Sequence, residues 1–136
     1  MKKQSNWSYI EFVIIIVILG AVAIKIGPQL TQAGPEHKIC KLIDGLQEMR
    51  SQLDLYRARH EGQLPPTDSF ERFRATMITK DGQYGPYIKK IPANPFNNLN
   101  TVRFDGEPAG IGMAGWRLDT NTGLFQADDS EVHARL

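Results

Sequence analysis

The chain has 136 residues, a formal net charge of +1 and a single cysteine, Cys40. This length supplies one domain, and the near-neutral charge excludes the basic field with which proteins bind nucleic acid. One cysteine also excludes an internal disulfide framework.

The first predicted element is an apolar segment at residues 7–28, WSYIEFVIIIVILGAVAIKIGP, whose charged residues are Glu11 and Lys25. About 18–20 residues at ~1.5 Å each span a hydrocarbon core of roughly 30 Å, so we expect a transmembrane helix over residues 7–27. The basic start, MKK, predicts a single pass with a cytoplasmic N-terminus. The apolar run is longer than the core of a secretory signal, and no clear cleavage site follows it.

Glu11 requires a partner, because a carboxylate at the bilayer centre costs on the order of 2.5–3.5 kcal/mol and somewhat less near one end. Lys25 lies ~21 Å further along the helix axis, which is too far for an ion pair. Two alternatives therefore stay open. Either Glu11 reaches the interface, or a neighbouring chain supplies the positive charge.

The segment resembles the N-terminal signature of type IV pilins and pseudopilins. Residues 1–6, MKKQSN, resemble the short basic leader of that family, and the positions that match its pattern in register are Trp7, Glu11, Gly20 and Pro28. By this resemblance, prepilin peptidase would cut before Trp7, and the new N-terminus would be methylated. The family's leader normally ends in glycine, whereas this chain has Asn6, so the sequence leaves the cleavage open.

The resemblance implies that the segment assembles with copies of itself into a helical filament. Glu11 would pair with the positive amino terminus of a neighbouring subunit and so set the stagger between subunits. The apolar side chains from Phe12 to Ile26 would exchange contact with lipid for contact with neighbouring copies. The residues predicted to direct assembly are Glu11, Phe12, Gly20 and Pro28.

A second helical pattern follows Pro35. Apolar residues recur at spacings of three and four, which predicts an amphipathic helix that continues to about residue 60: Ile39, Leu42, Leu46, Met49, Leu53 and Tyr56. We expect this apolar face to pack on a sheet, with a coiled coil as the alternative. Asp68 and Glu71 fit a capping box and predict a short second helix over residues 69–79.

Three stretches after residue 100 have strand composition: TVRF (101–104), GWRLDT (115–120) and GLFQAD (123–128). Residues 119–123, DTNTG, predict a hairpin turn between the last two. The core face and its neighbours would come from Trp116, Leu118, Leu124 and Phe125. The tail after residue 128 is polar, and we expect it to be frayed.

The predicted fold class is therefore α+β. A long N-terminal helix, with a transmembrane half and an exposed amphipathic half, packs on a short helix and a small antiparallel sheet, and the extracytoplasmic domain covers residues 28–136. Within that domain, LYRARHEGQLPP and GPYIKKIPANPF resemble regions of the major, G-type pseudopilin of type II secretion systems. A chain with one cysteine cannot form the C-terminal disulfide of many type IVa pilins, so it resembles the G-type pseudopilins more closely than the type IVa pilins.

The resemblance also raises the question of a metal. The G-type family often binds calcium through an acid-rich loop in its last third, and this chain has Asp119, Asp128 and Asp129 there without regular ligand spacing. The residues thus predict no cofactor and leave calcium as an alternative. The histidines lack zinc spacing, and no phosphate-binding loop or nucleophile elbow is present, so we predict no enzyme activity.

The predicted function is that of a structural subunit of a pilus-like filament, nearest to the type II secretion pseudopilus that serves protein export. The resemblance implies a place in the inner membrane with the C-terminal domain in the periplasm. The implied partners are further copies of the chain, prepilin peptidase, other pseudopilins and the inner-membrane assembly platform. Two alternatives remain: a type IV pilus subunit, and a membrane-anchored binding module that never polymerises, which Asn6 supports.

Overall fold

A computed structural model describes residues 10–11, 13–17 and 34–136. The chain divides after Gly34, and Pro35–Leu136 form one unit. In the N-terminal part, residues 10–11 and 13–17 are helical. The transmembrane helix predicted over residues 7–27 lies largely outside the described residues. Within the ranges that the structure does describe, no helix has both the length and the apolar character needed to cross a bilayer.

The long helix α1 spans Pro35–Arg59. Glu36 in its first turn and two arginines in its last turn complement the helix dipole. The predicted apolar face is buried and packs on the sheet at Leu42, Leu46, Met49, Leu53 and Tyr56. A Cβ atom on Gly45 would lie 3.3 Å from the ring of Trp116, so glycine lets this ring approach the helix closely. The prediction of a helix that packs on a sheet is confirmed.

The short helix α2 spans Phe70–Ile78 and buries Phe73 and Met77 in the same core. Its N-cap is Ser69, whose hydroxyl accepts from the backbone amide of Arg72 at 3.2 Å. The predicted capping box of Asp68 and Glu71 is therefore wrong by one residue. Asp68 instead accepts from the side chain of Arg72 at 2.7 Å, one turn along the helix.

The sheet has three strands in the order β1-β2-β3, namely β1 (Val102–Phe104), β2 (Trp116–Leu118) and β3 (Phe125–Ala127). Strands β2 and β3 are antiparallel, as the hairpin predicted, but β1 and β2 are parallel. The prediction of a purely antiparallel sheet is thus wrong. Residues 105–115 return the chain from the end of β1 to the start of β2, which is the connection that parallel neighbours require.

The two faces of the sheet differ in character. Trp116, Leu118 and Phe125 are buried in the core shared with α1 and α2. Leu124 precedes Phe125 and is 47% exposed, since successive strand residues point to opposite faces.

On the outer face, strand alternation aligns three polar residues in register: Arg103, Arg117 and Gln126. The C-terminal tail is ordered at this face as well. A short 3-10 helix, His133–Arg135, buries Ala134, and the side chain of Gln126 donates to the Ala134 carbonyl at 2.8 Å. The expectation of a frayed tail is wrong, because this bond and the burial of Ala134 hold the tail against β3.

Candidate functional site

The residues predicted to direct assembly belong to the N-terminal segment. Glu11 is helical and exposed. The other predicted positions lie outside the described residues, so their roles stay predictions: Asn6, Trp7, Phe12, Gly20 and Pro28.

The described part of this segment is apolar on every side apart from Glu11. Residues 13–17 are five consecutive helical residues, and at about 100° each they cover the whole circumference. Each of them exposes more than half of its surface, from 51% at Ile14 to 64% at Val17. A helix that is hydrophobic all round is normally covered by lipid or by other protein. Glu11 therefore places a carboxylate beside a surface that requires an apolar partner.

Asp128 is one of the three acidic residues considered for calcium, and it is fully buried just after β3. Its Oδ1 accepts from Arg103 Nη2 at 2.7 Å and from the Gly110 amide at 2.9 Å. Its Oδ2 accepts from Arg103 Nε at 2.8 Å and from the Ala114 amide at 3.1 Å. Four donors thus occupy the carboxylate, two on each oxygen.

The ionisation of Asp128 follows from these contacts. Burial by itself would raise the pKa of the Asp128 carboxyl, because it penalises the charged form. The hydrogen bonds from Arg103 and from the two backbone amides outweigh burial, and the charge of Arg103 acts in the same direction. The pKa of Asp128 therefore lies below its ordinary value, and the group is a carboxylate at neutral pH.

Arg103 lies on β1 with its side chain 17% exposed, and it uses every N–H of its guanidinium. Two of the five N–H groups bond to Asp128. The remaining three donate to backbone carbonyls of the β1–β2 connection, those of Asp105 at 3.0 Å, Glu107 at 2.8 Å and Pro108 at 2.8 Å. One side chain therefore ties the first half of this connection to the end of β3.

Asp129, the next residue, belongs to a separate network. Its Oδ1 accepts from the side chain of buried Asn94 at 2.7 Å, and its Oδ2 pairs with His133 Nδ1. Asn94 also donates to the Gly115 carbonyl at 3.0 Å and accepts from the Phe96 amide at 2.9 Å. This network joins the proline-rich loop before β1 to the C-terminal tail.

Asp119 lies in the hairpin between β2 and β3. Its Oδ1 accepts from the amides of Asn121 at 2.9 Å and Thr122 at 3.0 Å, which closes the turn. The bond from the Thr122 amide is the largest cause that lowers the pKa of Asp119.

The structure does not bring together the three acidic residues that the calcium alternative rests on. Asp128, Asp129 and Asp119 each belong to a different hydrogen-bond network, and among residues 34–136 and the short described stretches before them no three metal-ligating side chains cluster. Calcium needs six to eight oxygen ligands around one point. The donor set around Asp128 consists instead of N–H groups, which repel a cation, so these residues do not fit calcium.

Sequence reasoning did not identify Arg103 or Asn94 as important. Arg103 follows Val102, which is buried, and strand alternation therefore placed its side chain on the outer face together with Arg117. Two arginines on one face of the sheet could have indicated that an acidic side chain packs on that face. Asn94 lies between Pro92 and Pro95, in a stretch that the sequence indicated only as a loop.

The long helix α1, which packs by one face on the small sheet, agrees with the fold that the resemblance to pilin-like proteins implies. Comparison with characterised proteins finds three similar proteins that share one name. The chain is 26% identical over 102 residues to type II secretion system core protein G of Vibrio cholerae, covering 72% of this chain and 69% of the relative.

Two further core proteins G are similar. The one from Aeromonas hydrophila is 24% identical over 127 residues, covering 90% of this chain and 88% of the relative. The one from Pseudomonas aeruginosa is 24% identical over 105 residues, covering 71% of each chain. No family model and no solved structure matches the chain. The relatives confirm the predicted resemblance to G-type pseudopilins.

Proposed function

We propose that this chain is a structural subunit of a helical pilus-like filament, the pseudopilus of a type II secretion system, with no catalytic activity of its own. The observation that carries the proposal is the similarity to three core proteins G over most of the chain. The long helix α1 supports it, because one face packs on the sheet while the other remains exposed at Lys41, Asp44, Glu48, Ser51 and Leu55.

The N-terminal segment would hold the subunits together. In the membrane its apolar surface contacts lipid, and in the filament the same surface contacts neighbouring copies. Glu11 would pair with a neighbour's amino terminus. A wrong stagger would leave both charges without partners among apolar side chains, which is costly, so the pair selects one register.

The proposal places the protein in the inner membrane with a cytoplasmic N-terminus and a periplasmic domain. Its partners would be further copies of the chain, other pseudopilins, the assembly platform and prepilin peptidase. The basic residues Lys2 and Lys3 support the orientation, since positive charges stay on the cytoplasmic side.

The first test replaces Glu11 by alanine in cells that carry the secretion machinery. We expect Glu11→Ala to insert into the membrane normally but to give no filaments and no cross-linked ladder of subunits. Glu71→Ala is the matched control, because Glu71 is an exposed acid on α2 whose side chain has 76% exposure. Normal filaments from Glu11→Ala would refute the role of this residue.

The second test is the intact mass of the protein purified from its own membranes. A mass that begins at Trp7, with one added methyl group, means that the peptidase accepts Asn6 and produces the amino terminus that Glu11 needs. A mass that includes Met1 or Lys2 means that the leader stays. Glu11 would then lack its proposed partner.

Asn6 specifically favours a second candidate function, a membrane-anchored binding module that does not polymerise. This module would retain residues 1–6 and would run as a monomer after mild cross-linking of membranes. A third candidate, the type IV pilus subunit, differs from the pseudopilin in its place of assembly. Filaments on the cell surface, seen by electron microscopy, would favour it.

A further inference from the structure

Five oxygen atoms converge on the guanidinium of Arg103 at 2.7–3.0 Å. Two belong to the Asp128 carboxylate, and three are backbone carbonyls of residues 105, 107 and 108. Carboxylate and carbonyl oxygens gathered from two separate stretches of chain are also the ligands that calcium prefers. Here the cation at their centre is a side chain of the protein itself.

We propose that Arg103 takes the place of a metal ion in this domain, so that the connection 105–115 keeps its conformation without calcium. The inference does not depend on the filament, because it concerns the fold of residues 35–136 alone. It departs from what the resemblance to G-type pseudopilins implies, namely a calcium-dependent loop in the last third of the chain.

The contacts leave no room for both cations. Each Asp128 oxygen already accepts two hydrogen bonds, so calcium would have to displace the guanidinium and break its five bonds. Calcium beside Arg103 would also be repelled by its charge. The amides of Gly110 and Ala114, which fix the second half of the connection, point their N–H groups at the same carboxylate. A carboxylate held by Arg103 therefore orders both halves of the connection.

The first experiment measures thermal unfolding of the full-length chain in detergent, once with EDTA and once with calcium chloride. We expect the same Tm in both. A calcium site occupied at a hundred times its Kd would instead raise Tm by about 10–20 °C for a domain of this size. A rise of several degrees with calcium would overturn the proposal.

The second experiment replaces Arg103 by methionine, which keeps much of the side-chain length and removes the charge. We expect amide hydrogen exchange at Gly110 and Ala114 to become about tenfold faster or more relative to the amides of α1. Arg59→Met is the matched control, because Arg59 is exposed and stacks on Tyr84 at 5.2 Å. Unchanged exchange at the two loop amides in Arg103→Met would overturn the proposal. If Arg103→Met does not fold, the proposal is tested by comparing the Tm of the wild-type chain with EDTA and with calcium chloride.

Discussion

Replacing Asp128 by asparagine should destabilise the domain strongly. Asparagine keeps the shape of the side chain but turns one acceptor oxygen into an NH₂ group. Whichever way the amide is oriented, this NH₂ faces one N–H of Arg103 and one backbone amide, either that of Gly110 or that of Ala114. The substitution also leaves the Arg103 guanidinium, which is largely buried, without its counter-charge.

The magnitude follows from this geometry. Removing one partner of a buried ion pair costs about 3–5 kcal/mol, which is a large part of the roughly 5–15 kcal/mol that holds a typical domain together. At about 4–8 °C per kcal/mol for a domain of about a hundred residues, Tm should fall by at least about 12 °C.

The assay is thermal unfolding of the full-length chain in detergent at pH 7, followed by near-ultraviolet circular dichroism. Asp54→Asn is the matched control, because Asp54 is exposed on α1, and its Tm should remain within about 2 °C of the wild-type value. If Asp128→Asn unfolds within about 4 °C of the wild-type chain, the Arg103–Asp128 pair does not carry the stability assigned to it.

Three further predictions concern the same domain. The pKa of Asp128 in the folded chain lies below its ordinary value of 3.8. The carboxylate of Asp128 therefore contributes its full stabilisation above about pH 5, and this stabilisation is lost as the pH falls through the folded pKa. Tm measured across the acid range should show this loss in the wild type and a smaller loss in Asp128→Asn. Gly115→Ala should cost about 1–3 kcal/mol in urea unfolding, because a Cβ atom there would clash with the carbonyl oxygen of Leu99. Wild-type stability in this variant would contradict the close approach. Phe73→Ala should lower the free energy of unfolding by about 3–5 kcal/mol, since Phe73 is fully buried. Leu55→Ala should lower it much less, because Leu55 is 38% exposed. Equal losses in the two variants would argue against the core described here.

The elements themselves could be predicted from local patterns. The spacing of apolar residues along α1 specifies which face is buried, because a helix brings every third and fourth residue to one side. The turn at residues 119–123 was likewise predictable, and there Asp119 accepts from two amides of the turn itself. One local prediction failed narrowly. Ser69 caps α2 in place of Asp68, since both residue types serve as caps and only the start of the helix distinguishes them.

The pairing of strands could not be predicted in the same way. Strands β1 and β2 carry similar patterns whether they run parallel or antiparallel, because alternation along a strand specifies its faces and not its neighbour. The parallel pairing depends on how residues 105–115 cross back over the sheet. That path is held by contacts between Arg103 and Asp128, which are 25 residues apart in sequence.

The apolar N-terminal segment with Glu11, the amphipathic helix α1 and the resemblance to the pseudopilins were all predictable, since each rests on residue type and local spacing. The partners of the charged side chains, by contrast, could be read only from the folded chain. The sequence predicted no cofactor and left a calcium site at three aspartates as an alternative. In the folded chain Asp119 bonds to the turn, Asp129 to Asn94 and His133, and Asp128 to Arg103. A carboxylate takes the donors that packing brings within about 3 Å, and residue spacing along the chain does not carry that information.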